Sequence, residues 1–159
     1  MNKIDDVNKK ILDLLQENSS ITNAELAERL NLSPTTVFDR VKKMEKKGII
    51  SKKVVLLNPA KVGKETIAFI SISMSGHSAK SVKSFREAIE NLPEVLECYH
   101  ISGADDFILK VIVENMQCYE EFLLHKLIAL ENIGKIRTSF VMSTVKYQTK
   151  IPLTEIYDN

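Results

Sequence analysis

Residues 30–50, LNLSPTTVFDRVKKMEKKGII, gather the side chains best suited to reading a nucleic acid. Ser33, Thr35 and Thr36 are short hydroxyl donors that can approach phosphates or base edges, and a helix beginning at Ser33–Pro34 presents its own N–H groups to an anion. Arg40, Lys42 and Lys43 follow within reach of bases or backbone, while Lys46 and Lys47 add long-range attraction. A lysine run alone describes a solvated helix face equally well, because a helix C-terminus favours cations. Phe38 sits on the flank of that helix, either at the core edge, its expected place, or exposed to a thymine methyl.

The elements that must position these groups favour DNA. Asp5–Glu17 carries Val7, Ile11, Leu14 and Leu15 at helical spacing behind the capping candidates Asp5 and Asp6. Thr22-Asn23-Ala24-Glu25 has the form of a capping box, which opens a second helix over about 23–30. After the turn Asn31–Ser33 a third helix runs from Pro34 to about Lys47, and Gly48 stops it. Two short helices across so tight a turn make a helix-turn-helix with the later helix presented outward. Ile49–Leu57 reads as a β-branched strand ended by Asn58-Pro59, and the domain boundary is expected within 58–65.

Beyond it the pattern alternates. Ala68, Ile70, Ile72 and Met74 have period two; Val82, Phe85, Ile89 and Leu92 have helical spacing. Strands are predicted over Val95–Ile101 and Phe107–Val113, a helix through Met116, Tyr119, Leu123, Leu127 and Leu130, and a last strand over Lys135–Lys146. The order βαββαβ predicts a ferredoxin-like sandwich with both helices on one sheet face. The other face retains apolar residues such as Phe69 and Val141, so oligomerisation is expected. The loop Ser102-Gly103-Ala104-Asp105-Asp106 between two strands is, by residue type, a turn.

The 159 residues, 44% hydrophobic and 27% charged, suit one or two ordinary globular domains. The net charge of +1 conceals a division, +3 over residues 1–60 and −2 over 61–159. No stretch is long and apolar enough for a membrane span or signal peptide, so a cytoplasmic location is expected. Cys98 and Cys118 offer no disulfide framework. With His100 and His125 they lack the closely paired spacing of structural zinc motifs, so neither a metal nor a cofactor is expected. Nucleophile elbows, phosphate loops and zinc-hydrolase motifs are absent from the chain, which argues against an enzyme.

Three ordered strings resemble the Lrp/AsnC, or feast/famine, family of transcription regulators: LSPTTVFDRVKKMEKKGII (32–50), ECYHISGADDFILKV (97–111) and IRTSFVMSTVK (136–146). The resemblance spans residues 2–150 and implies an α+β chain, with a winged-type helix-turn-helix over 1–58 and a ferredoxin-like βαββαβ effector and oligomerisation domain over 59–159. It implies homodimers paired through their sheets, often assembled into octamers, with a small effector, usually an amino acid, bound between subunits. The family's Gly-x-x-Asp loop is matched by Gly103 and Asp106, so the expected effector set is Ser102, Gly103, Ala104, Asp105 and Asp106, with Thr138 from a neighbouring subunit. An ammonium would meet a carboxylate there and a carboxylate would meet backbone N–H groups. Asp105 stands where relatives often have an aromatic residue, and its extra acid would suit a cationic ligand. The expected function is a DNA-binding regulator responding to that effector through assembly; the alternative is a ferredoxin-like allosteric module whose helix-turn-helix contacts protein.

Overall fold

The computed structural model describes residues 4–76 and 78–153. The chain divides into two compact units, Met1–Leu56 with Lys146–Asn159, and Leu57–Val145.

In the first unit, local signals place three helices. Helix α1, Asp6–Glu17, starts where Asp5 accepts a hydrogen bond from the Asn8 backbone N–H. Helix α2, Asn23–Leu30, has the complete capping box, with Thr22 and Glu25 each satisfying the other's N–H, and ends on Asn31 in left-handed conformation. Helix α3, Pro34–Lys46, is capped by Ser33 and followed by Gly48 at φ +70°, a conformation glycine adopts without a Cβ penalty. Each helix turns an apolar stripe inward, and Ile11, Leu26, Val37 and Met44 are almost wholly buried among Leu12, Ala27 and Val41.

The strand expected over Ile49–Leu57 does not form. Val54, Val55, Leu56 and Leu57 are 56–85% exposed, and none of the described strands pairs with this stretch. β-branched composition favours an extended backbone, but a strand exists only where a neighbouring ladder receives its N–H and C=O groups. Lys146–Leu153 packs with the helical unit. Gln16 Nε2 donates to the Ile151 carbonyl (3.1 Å), the Ile151 N–H donates to Gln16 Oε1 (2.8 Å), and Lys150 Nζ reaches Glu17 (2.6 Å) and Asp13 (3.5 Å). Leu153 packs on the helical core.

The second unit opens with a 3₁₀ turn at Pro59–Val62, then strand β1, Thr66–Met74, and helix α4, Ala79–Glu90. Strands β2, Val95–His100, and β3, Phe107–Val113, precede helix α5, Met116–Phe122, which runs into a π turn at Leu123–Leu127 before strand β4, Ile133–Phe140. The sheet order is β2-β3-β1-β4 with every neighbour antiparallel, the arrangement the βαββαβ order predicts. One face buries Ala68, Ile70, Ile72, Leu109 and Val111 against Phe85 and Ile89 of α4 and Tyr119 and Phe122 of α5. Strand β4 stops at Phe140, six residues earlier than expected, because Phe140 pairs with Ala68 and the Val141 N–H with Ile67 at the beginning of β1, beyond which the ladder has no neighbour. Opposite Gly134 the β1–β4 register shifts between Ser73 and Met74.

Candidate functional site

At the start of α3, Ser33 Oγ accepts from the Thr36 N–H at 3.1 Å and lies 2.9 and 2.7 Å from the hydroxyls of Thr35 and Thr36. The three hydroxyls form one exposed polar cluster over a helix N-terminus, the geometry an anion finds favourable. The buried row Val37, Val41 and Met44 turns Thr35, Asp39, Lys42 and Lys46 to the opposite side.

Arg40 has a different position from the other cations. Its Nη1 donates to Asp5 Oδ1 (3.1 Å), Asp5 Oδ2 (2.9 Å) and Asn8 Oδ1 (3.1 Å), so the guanidinium ties α3 to the first turn of α1. The Asn8 N–H, and after it the Arg40 guanidinium, hold the Asp5 carboxyl below its ordinary range. Lys42 pairs with Glu45 at 3.2 Å, and Lys53 reaches the same carboxylate at 3.2 Å. Glu45 is likewise held low, first by Lys53 and then by Lys42. Lys43 borders a cleft of about 680 Å³ with Thr36, Asp39, Arg40 and Lys47. Phe38, expected at the core edge, is 47% exposed, and Lys42 Nζ lies 5.9 Å from its ring centroid.

The loop between β2 and β3 divides into a tip and a base. Ser102, Gly103 and Ala104 are exposed, and Gly103 at φ +145° adopts a conformation that a Cβ would strain. The two acids turn back into the sheet. Asp106 Oδ2 accepts from the Met74 N–H (2.7 Å), its N–H donates to Ile72 and its carbonyl accepts from Ile101. Asp105, its side chain 9% exposed, accepts from Ser73 Oγ (3.0 Å) and pairs with Arg137. Its charge is thereby met within the chain, which removes the basis for expecting a second cation on the ligand. Thr138 is directed elsewhere: it lies opposite Ile70 on the helix-covered face, where its hydroxyl bonds to Tyr119. Strand alternation sends Arg137 to the open face and Thr138 to the covered one.

Sequence reasoning missed Asp5, Asn8, Ser73 and Arg137 as the partners that set these side chains. Each lies more than thirty residues from the group it holds, and no local pattern links them. On β2, Cys98 lies opposite Leu109 and His100 opposite Phe107, on which the imidazole stacks at 4.7 Å. Partial burial pushes the Cys98 thiol up. No group of three or more metal-ligating side chains occurs among the described residues. No helix among them is long and apolar enough to cross a membrane.

Known families and proteins match both units. Residues 4–51 match the winged helix-turn-helix DNA-binding model and residues 67–151 the Lrp/AsnC ligand binding domain. The chain is 35% identical over 153 residues to the transcriptional regulator AzlB of Bacillus subtilis, covering 96% of this chain and 98% of that protein. It is 34% identical over 144 residues to a leucine-responsive regulatory protein of Rhizobium meliloti, covering 91% and 92%. Among solved structures, a transcriptional regulator of Neisseria meningitidis in complex with L-Met superposes with a TM-score of 0.90 at 33% identity, covering 94% of this chain and 97% of that one. A capped helix-turn-helix and an antiparallel βαββαβ unit, matched in order and across nearly the whole length, make a DNA-binding transcription regulator with a ligand-binding domain, and not an enzyme: the chain belongs to the Lrp/AsnC family.

Proposed function

We propose that this regulator acts in the cytoplasm as a homodimer, assembling to an octamer, that places two α3 helices in successive major-groove faces of a pseudo-palindromic DNA site. An amino acid held between subunits at the 102–106 loop alters the spacing or association of the dimers. The observation that carries this reading is the presence of both modules in one chain, DNA-binding at 4–51 and ligand-binding at 67–151. Ser33, Thr35, Thr36, Lys42 and Lys43 meet the duplex, and Arg40 acts from behind by holding α3 on α1.

The L-Met complex of the Neisseria regulator supports an amino-acid effector. With Asp105 and Asp106 engaged by Arg137, Ser73 and the Met74 N–H, the loop offers a ligand the exposed backbone of Ser102–Ala104 and the half-exposed Arg137 guanidinium. Both suit a carboxylate. Assembly is supported by exposed apolar surface on the open sheet face, Phe69 and Tyr99, and along Val54–Leu57.

Two measurements test the proposal. Duplex binding should weaken steeply with salt, and Lys42→Ala and Lys43→Ala should each lower the slope of log affinity against log salt by about one. Salt-insensitive binding would favour the protein-contact alternative. Sizing the protein against the twenty amino acids should reveal one or a few that change the assembly; an assembly and a DNA affinity indifferent to all of them would remove the effector reading.

A further inference from the structure

We propose that Phe38 and Asp39, rather than the cations around them, choose the bases that α3 reads: Phe38 packs on a thymine 5-methyl, and Asp39 accepts from the exocyclic amino group of a cytosine. The inference rests on the placement of α3 in the major groove given above.

Arg40 is by type the guanine reader of this helix, because a guanidinium fork matches O6 and N7 of that base. Here its Nη1 is already engaged by both oxygens of Asp5 and by Asn8, thirty-two or more residues away. Lys42 pairs with Glu45, and Lys46 lies one turn beyond Lys42, towards the end of the helix. The early outward surface of α3 then offers Thr35, Phe38 and Asp39 beside Thr36 and Lys43.

Phe38 lies outside the helical core, on the flank beside Lys42, with nearly half of its surface open. A phenyl ring held in water among threonines and lysines contributes little to folding, whereas the thymine methyl is the one apolar group displayed in the major groove. Asp39 occupies the side of α3 opposite the buried row, exposed between Thr35, Lys42 and Lys43. A carboxylate there weakens attraction to phosphates, the reverse of what the surrounding lysines achieve. Its chemistry fits a base-edge donor instead, since Asp and Glu accept from cytosine N4. Two adjacent residues would then read neighbouring base pairs.

The test uses the full-length protein and a duplex selected from random sequence. Deoxyuridine replaces thymidine one position at a time, which removes only the methyl group, and binding is compared for wild type, Phe38→Ala, Phe38→Leu and Asp39→Asn. At one position per half-site, loss of the methyl should weaken the wild type at least about fivefold, leave Phe38→Ala unchanged, and affect Phe38→Leu to an intermediate degree. Asp39→Asn should shift the selected base at the neighbouring position from cytosine to adenine, the base that asparagine pairs with. A wild type indifferent to every uridine, or a Phe38→Ala protein as sensitive as the wild type, overturns the Phe38 assignment; an unchanged selected sequence in Asp39→Asn overturns the other. Failure of the groove placement itself would look different, because Lys42→Ala and Lys43→Ala would then leave both affinity and salt slope untouched.

Discussion

Arg40 Nη1 lies 2.9 Å from Asp5 Oδ2, so a residue of α3 is the clamp on the cap of the first helix. Asp5 accepts from the Asn8 N–H as N-cap of α1 and from the guanidinium at the same time. Arg40→Ala should therefore lower the stability of the helical unit by about 1 kcal/mol, discounted for the pair's partial exposure, and weaken DNA binding through the lost orientation of α3. Asp5→Ala should cost more, about 1–2 kcal/mol, because it also removes the cap. A folded-state pKa below the ordinary 3.8 means that this contribution is present above about pH 4 and lost as pH falls through the lowered value. Thermal melts of wild type and Asp5→Asn should accordingly converge in acid.

The Lys150–Glu17 contact should make tail docking depend on pH at both extremes. Glu17 is held low chiefly by the hydrogen bond from Lys150, and Lys150 is raised chiefly by that from Glu17. The first contribution disappears as pH falls below 4.5 through the lowered carboxyl pKa, the second as pH rises above 10.5 through the raised amine pKa. Lys150→Ala should lower the Tm slightly at neutral pH, less so at high salt where the exposed pair is screened. Gln16→Ala, which removes both hydrogen bonds to Ile151, should lower it with little salt dependence.

Gly134 should not tolerate a side chain. A Cβ there would stand 2.9 Å from the Ser73 carbonyl oxygen and 3.2 Å from the Ser75 nitrogen, both backbone atoms of the facing segment. Gly134→Ala should destabilise the effector unit by about 2 kcal/mol in a urea titration, as β1 and β4 separate at their register shift.

Arg137→Ala would leave the nearly buried Asp105 carboxylate its 3.0 Å hydrogen bond from Ser73 but no longer its guanidinium partner. The expected loss is about 1–3 kcal/mol by chemical denaturation, and Asp105→Asn in the same background should restore part of it by removing the uncompensated charge. Calorimetric titration of Arg137→Ala with the amino acid that shifts assembly should show weaker binding if the guanidinium receives its carboxylate.

What the chain determined without its fold is whatever a few neighbouring residues settle among themselves. Thr22 with Glu25, Ser33 with Pro34 and Gly48 set helix ends inside one turn, and the alternation from Ala68 to Met74 announced which strand face would be buried. Those signals, with the three strings resembling Lrp/AsnC, were enough for the architecture and for the family. The tertiary structure alone decided which side chains are engaged: Arg40 by Asp5 across 35 residues, Asp105 by Arg137 across 32, and Lys150 by Glu17 across 133. It also decided that Val54–Leu57 would not be a strand, since a strand needs a ladder beside it and composition cannot supply one. Capping and periodicity act through bonds closed within a turn, whereas a charge finds its partner only after distant segments have packed.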